Sequence, residues 1–342
     1  MTASGEYPSK SAAVCAAAAW RIAHRAAGRS LSTTPIHMSL WKEYHLAKSI
    51  PEALEAAVNA EGPFAFVAGG TDLLLDLQQG RHKPVHTLVD VTAIPELQVL
   101  EIRGDRLFIG AGRPLNRIVD STLVQEHAPA LVEACALIGG PQVRNSATLG
   151  GNVAHALPAA DGTIALMALR AEAEIASAAG QRRVPLGSLF RGPGQSTLEP
   201  GELLCGFYLP LREAGQGSAF RRVMRPQGVA LPVLNMAAWI HRQDDCIAGA
   251  AIAVGPAGPV PTRCLETEKR LRGAPFSTAT LEQALDTLLE EVRYRTSPHR
   301  ASAEYRHHLT RALLEETFEA AWQRTYPSSL SGEPAAKAHL ST

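Results

Sequence analysis

The chain has 342 residues, 46% of them hydrophobic and 19% charged, which is enough apolar material for about two domains at roughly 150 residues each. Lys and Arg together number 33, as do Asp and Glu, so the charge balance offers no reason to expect nucleic acid or an anionic membrane as partner. The five cysteines (Cys15, Cys135, Cys205, Cys246, Cys264) are scattered and contain no C-x-x-C pair. That excludes an ordinary zinc site or a Cys-ligated iron–sulfur cluster made by this chain alone, and fits a reduced, cytoplasmic setting. No apolar run is long enough for a membrane span.

Residues 1–37 are rich in Ala, Ser and Arg, with Glu6 as the single acid. Ala12–Ile22 is like the apolar part of a targeting peptide, but no clear cleavage site follows, and the segment is set aside as a disordered extension. Ser49 and Pro51 then predict a helix start, with Leu54 and Val58 on one face. Phe64–Val67 reads as a buried strand, Thr71 as the cap of a helix through Leu77, and Thr87–Val91 as the next strand. This βαβ order predicts a small parallel sheet. A hairpin follows over Leu97–Ile102 and Leu107–Ile109, then a helical region over Pro114–Ile138 broken near Pro129, and an irregular stretch over Gly139–Pro158. Asp161 opens an apolar helix, and strands recur at Glu174–Ser177, Arg182–Pro185, Leu203–Leu209 and Phe220–Met224. Beyond a polar linker within Arg212–Gly217, Leu231–Ile240 and Cys246–Val254 predict a hairpin about Gln243-Asp244-Asp245. Helices follow over Cys264–Leu271, Thr280–Val292 and Ala301–Arg324, and residues 326–342 read as a disordered tail.

Two glycine stretches carry the chemistry. In Phe66-Val67-Ala68-Gly69-Gly70-Thr71-Asp72-Leu73 an apolar strand runs into a glycine pair and the start of a helix. Such a turn aims backbone N–H groups into open space, where they can hold a phosphate, although a plain strand-to-helix turn uses the same residues. Thr148-Leu149-Gly150-Gly151-Asn152 repeats the combination of hydroxyl, bare backbone and amide. Neither spacing is G-x-x-x-x-G-K-[ST] or G-x-G-x-x-G, so a P-loop and a Rossmann fingerprint are both rejected. Asp161 can accept from a ribose or serve as an N-cap. His155 reads as structural or solvated, and Arg293, Arg295, Arg300 and Arg306 as a solvated face or subunit contact.

The motifs V-A-G-G-T-D-L-L at 67–74, Q-V-R-N-S-A-T-L-G-G-N at 142–152 and P-A-A-D at 158–161 resemble the FAD-binding (medium) subunit of molybdenum hydroxylases, the carbon monoxide dehydrogenase and xanthine dehydrogenase family. L-E-P-G-E-L-L-C-G-F-Y-L-P at 198–210, A-V-G-P-A-G-P-V-P-T-R at 253–263 and S-A-E-Y-R-H-H-L at 302–309 extend the likeness over about residues 40–324. The resemblance implies an α+β fold: a PCMH-type FAD-binding domain of two α+β subdomains over 38–213, and a small C-terminal α/β domain over 218–325 with an antiparallel sheet and helices. It further implies that Phe66, Val67, Ala68, Gly69, Gly70, Thr71, Asp72 and Leu73, with Thr148, Leu149, Gly150, Gly151 and Asn152, hold the FAD pyrophosphate. Asp161 then contacts the adenosine end. Ile138 and Leu204 lie by the flavin, and Arg221 stands where relatives carry a lysine, keeping its charge but not its point-like geometry.

By the same resemblance the chain is an electron-transfer oxidoreductase subunit. Electrons reach its FAD from [2Fe–2S] clusters on a small partner subunit, after chemistry at a molybdenum–pterin centre on a large one, and leave to NAD or a quinone. The assembly implied is a dimer of heterotrimers. Two rival readings are a free-standing FAD-dependent oxidase or reductase of the same FAD-fold superfamily, and an assembly module without redox turnover. The stretch after Gly217 shows no catalytic set of its own, and the intact glycine loops argue against the module.

Overall fold

A computed structural model of the chain describes residues 40–225, 231–298 and 300–326. The expected extension over 1–37, Cys15 and the tail beyond Tyr326 lie outside the described residues.

The first sheet contains β1 (Glu43–Leu46), β2 (Phe64–Val67) and β3 (Thr87–Asp90) in the order β1-β3-β2, all parallel. Between its strands run α1 (Ile50–Val58) and α2 (Leu73–Gln78). Ser49 caps α1 by accepting from the Glu52 amide, and Pro51 sits in the first turn, as the sequence predicts. β1 has no counterpart in the sequence reading. It is an edge strand with Tyr44 and Leu46 turned to solvent, so it carries no alternation into a core.

The second sheet opens with the antiparallel pair β4 (Leu100–Arg103) and β5 (Arg106–Gly110). The helical region that follows is three helices, α3 (Leu115–Val119), α4 (Thr122–His127) and α5 (Pro129–Leu137). The stretch expected to be irregular folds into two more, α6 (Pro141–Ser146) and α7 (Leu149–Ala154), followed by α8 (Asp161–Ala168), which is buried on every side. Then come β6 (Glu172–Ser177), β7 (Gly180–Pro185), a minor pair β8 (Phe190–Gly192) and β9 (Gln195–Ser196), and β10 (Leu203–Pro210). The order β4-β5-β10-β6-β7 places β10 at the centre of an antiparallel sheet.

The C-terminal sheet is β11 (Gln216–Met224), β12 (Pro232–Gln243), β13 (Cys246–Gly255) and β14 (Thr262–Arg263), antiparallel throughout. The β12–β13 hairpin turns at Asp244, which has φ +54°, where the polar triplet predicts the turn. The helices α9 (Leu265–Leu271), α10 (Thr278–Glu291) and α11 (Ala303–Gln323) share one core with this sheet, to which Leu271, Leu285, Leu288, Leu313 and Phe318 contribute. Arg306 departs from the expected solvated arginine face. It is 1% exposed, and its Nε donates to the Val233 carbonyl at 3.0 Å.

The main core joins β5, β6 and β10 to α3, α4, α5, α7 and α8, and it extends to Phe220, Ala237 and Ala253 of the C-terminal sheet. The seam between them is also electrostatic. Glu133 on α5 accepts from Arg221 Nη1 at 2.7 Å, from Arg324 Nη2 at 2.7 Å and from the Phe220 amide at 2.8 Å. These donors hold the Glu133 carboxyl below its ordinary range against the opposing effect of its burial. Glu133→Gln leaves both guanidiniums without their counter-charge and is expected to lower unfolding free energy by about 2 kcal/mol, measured by denaturant titration.

Candidate functional site

The two glycine turns meet. A Cβ built on Gly69 would lie 2.1 Å from the Ser146 carbonyl oxygen and 2.8 Å from Ala147 Cα, so only a bare backbone can pass there. Gly70 follows at φ +66°, a conformation that favours glycine. α2 then starts at Leu73 with Asp72 in the capping position, one residue later than the expected Thr71 cap, and Asp72 makes no side-chain capping bond. Among the described residues the amides of Gly69, Gly70, Thr71 and Asp72 donate to no protein acceptor. Four successive free N–H groups beside a helix start form an anion cradle.

The second turn is built the opposite way. Leu149 donates to the Arg113 carbonyl and Gly150 to the Ala111 carbonyl; Gly151 donates to Thr148 Oγ1 at 3.0 Å and Asn152 to the Thr148 carbonyl. From Leu149 to Asn152 its amides are spent within the fold. A Cβ on Gly150 would sit 2.6 Å from Ala111 Cβ, so this glycine serves close packing. What remains for a ligand is the Thr148 hydroxyl hydrogen and the exposed face of Gly151.

A bridge links the two turns. His155, just after α7, places Nδ1 3.7 Å from Asp72 Oδ1 and Nε2 3.8 Å from Asp76 Oδ2. The Asp72 carboxylate raises the His155 imidazole above its ordinary pKa, and His155 lowers Asp72 below its own. The structural role read from the sequence for His155 therefore has a definite partner.

Behind the turns opens a cleft holding about 520 Å³ of space free of protein atoms, part of it open to solvent. Phe66, Ala68 and Val91 line it from the first sheet, and Leu97, Ala111, Gly112, Leu198, Leu203 and Leu204 from the second. Thr148, Gly150, Gly151 and Ala154 complete the wall, together with Glu202.

Of the residues expected at the site, the structure brings Phe66, Ala68, Thr148, Gly150, Gly151 and Leu204 to this cleft, with Gly69 to Asp72 beside it. Val67 and Leu149 are buried in the cores behind it, and Leu73 packs partly against one of them. Asn152 is taken up by the fold, its Oδ1 accepting from the Thr163 amide at the start of α8. Ile138, Asp161 and Arg221 are not among the lining residues. Asp161 is the first helical residue of α8 and not its N-cap, which is Ala160. Both of its oxygens are engaged: Arg222 Nη1 lies 2.5 Å from Oδ2, and Asn235 Nδ2 donates to Oδ1 at 2.6 Å. Burial raises this carboxyl above its ordinary pKa, and Arg222 opposes that by favouring the ionised form. Ile138 ends α5, its carbonyl accepting from Arg144, while Arg221 is held by Glu133. Sequence reasoning missed Val91, Leu97 and Glu202 as site residues, because strand ends and a turn acid have no local signature of a cleft.

Two family patterns match the chain. Residues 37–212 match the FAD binding domain in molybdopterin dehydrogenase, and residues 218–321 the CO dehydrogenase flavoprotein C-terminal domain. The chain belongs to the FAD-binding subunits of the molybdenum hydroxylases. It is 32% identical over 281 residues to the xanthine dehydrogenase FAD-binding subunit of Escherichia coli O157:H7, covering 81% of this chain and 95% of that one. To the carbon monoxide dehydrogenase medium chain of Hydrogenophaga pseudoflava it is 29% identical, over 82% of this chain and 97% of the relative. The solved carbon monoxide dehydrogenase of Hydrogenophaga pseudoflava superposes with a TM-score of 0.78 at 28% identity, covering 82% of this chain and 97% of that chain.

FAD is thus the cofactor of the N-terminal domain, and the site's donors fit it: free amides suit a pyrophosphate, and an apolar cleft beside them suits a flat ring. Among the described residues no group of three or more His, Cys, Asp or Glu could hold a metal ion, and no helix is long and apolar enough to cross a membrane.

The bridge between the turns predicts a pH dependence. His155, raised in the fold, stabilises fully below its unfolded value of about 6.5, and that contribution is lost as pH rises through its folded value. Asp72, lowered in the fold, contributes above about 3.8, and its share is lost as pH falls through its folded value. Protease resistance of the α2 turn should therefore fall as pH rises above about 6.5 in the native chain, and His155→Gln should abolish that dependence.

Proposed function

We propose that the free amides of Gly69 to Asp72 hold the FAD pyrophosphate, with Thr148 adding a hydroxyl donor and Phe66, Ala68, Gly150, Gly151 and Leu204 flanking the cofactor. The observation that carries this reading is the run of four unpartnered N–H groups at the mouth of an apolar cleft. Bound there, FAD supplies a centre that takes up and releases electrons one or two at a time.

The chain's own residues bind and orient. Gly69 lets the first turn approach the second, Gly70 gives the turn its left-handed step, and His155 ties Asp72 and Asp76 to the α7 end. Val67, Leu73, Leu149 and Asn152 act by fixing these turns from behind. Ile138 and Arg221 face the flavin side in this reading, with the Arg221 charge partly offset by Glu133. Asp161 anchors α8 through Arg222 and Asn235 and, in this proposal, stands toward the adenosine end of the cofactor.

The domains extend over 38–213 and 218–325 in this proposal. The chain works in the cytoplasm as the flavoprotein of a complex with a molybdenum–pterin large subunit and a small subunit carrying two [2Fe–2S] clusters, arranged as a dimer of heterotrimers. Electrons pass from those clusters to this chain and on to NAD or a quinone. Support comes from relatives named as medium chains or FAD-binding subunits of dehydrogenases, matched over nearly their whole length.

The test is flavin retention. The full chain purified alone should carry a flavin absorbance band released as FAD. Gly69→Val should lose it, because its side chain would be driven into the Ser146–Ala147 backbone, while the circular dichroism of the C-terminal domain persists. A colourless native chain that takes up no FAD at micromolar concentration contradicts the proposal.

A further inference from the structure

Glu202 is the one ionisable side chain among the residues that line the cleft; every other lining residue is apolar, glycine or threonine. Its side chain is 13% exposed and is held rigidly. Arg182 grips it as a fork, Nε to Oε1 at 2.9 Å and Nη2 to Oε2 at 3.0 Å, and the Glu199 amide donates to Oε2 at 3.0 Å. The Arg182 contact holds the carboxyl below its ordinary pKa, so it is ionised at neutral pH. A carboxylate offers about four acceptor positions, two on each oxygen. Those on Oε2 are filled by Arg182 and Glu199, and one of those on Oε1 by Arg182. One position on Oε1 remains.

A ligand that closes this cleft displaces water from that last position. Unless it brings an N–H or O–H there, an ionised acceptor is left unsatisfied in apolar surroundings. The cofactor assigned under Proposed function, on which this step rests, has two rings that could enter. The isoalloxazine presents its ring N–H between two carbonyl oxygens, which a carboxylate repels, and a fixed negative charge beside it would oppose the uptake of electrons. Adenine presents two N–H groups on its exocyclic amine, its only donor, beside ring nitrogens that are weaker acceptors than the flavin carbonyls. The match of a lone anionic acceptor with a lone amine donor selects the purine.

We infer that Glu202 is a specificity-determining residue that accepts a hydrogen bond from the exocyclic amine of the adenine end, making this cleft the purine slot. Leu204 then packs on the purine and not on the flavin ring. Arg182 acts as the positioning residue, since it fixes the carboxylate without lining the cleft itself.

The experiment compares FAD with its 6-deamino analogue, flavin purine dinucleotide, in which a hydrogen replaces the amine and no ring N–H is gained. Apo full-length chain is titrated with each and the flavin fluorescence change gives the two dissociation constants. The native chain should bind the analogue about 10- to 100-fold more weakly. In Glu202→Gln the neutral carboxamide can instead donate to a purine ring nitrogen, so the preference should shrink to near unity. A general loss of stability weakens both ligands alike and does not move this ratio. Equal binding of the two ligands by the native chain overturns the inference and leaves the FAD assignment standing, as does a Glu202→Gln chain that keeps the native ratio. Binding of neither ligand by the native chain overturns both.

Discussion

The site depends on one steric constraint: the backbone of Gly69 runs against the backbone of Ser146 and Ala147 with no room for a Cβ. That contact joins a turn of the parallel sheet to the helices that lead into the antiparallel one. It fixes where β2 ends relative to α7, and hence where the apolar residues of two sheets face each other across a cleft. Interiors are packed too densely for such a contact to shift gradually, so a side chain at Gly69 displaces the turn as a unit. The free amides of the first turn are a consequence of the same geometry. A chain forced through so narrow a gap and then into a left-handed step at Gly70 leaves its N–H groups pointing away from the protein's own carbonyls.

The two turns look alike as strings and differ as physical objects. The first keeps its donors unpaired from Gly69 to Asp72; the second pairs those of Leu149 to Asn152 with Arg113, Ala111 or Thr148. The division is economical of strain. In the proposed reading the internally satisfied stretch provides a wall, and the unsatisfied one provides the donors for the pyrophosphate. Polar side chains nearby follow the same logic. Asn152 closes the start of α8, Asp161 pins that helix to β11 and β12, and Glu133 secures α5 to β11 and to the end of α11. Each removes a charge or dipole from the pool available to a ligand.

Much of this fold was legible because its elements carry local punctuation. Ser49 with Pro51, the turn at Asp244, and the apolar strands at Phe64 and Leu203 announce themselves through capping, turn chemistry and hydrophobic runs. β1 did not, since an exposed edge strand of four residues takes its identity from its register with β3 alone. The helices α6 and α7 were hidden because glycine and short length mask helical periodicity, and Thr148 as N-cap is visible only once the Gly151 amide is placed. At the site the glycines were readable from their type. The tertiary partners were not: Arg222 reaches Asp161 across 61 positions, and Arg182 reaches Glu202 across 20. A motif names the residues that a backbone geometry requires, whereas the use of a carboxylate is decided by whichever cation the fold delivers to it.

That distinction bears on how a chain of balanced charge can hold an anionic dinucleotide. With 33 cationic and 33 anionic side chains there is no overall field to attract a pyrophosphate. Among the cationic groups near the cleft, His155 is committed to Asp72 and Asp76, and Arg182 to Glu202. In the proposed reading recognition falls to backbone dipoles, which carry no net charge and cost nothing in self-repulsion when the ligand is absent. Dipoles act at short range and demand exact placement, and exact placement is what the Gly69 contact supplies. The steric constraint and the electrostatic device are thus one feature: the crowding that requires glycine also orients the amides that such crowding leaves free.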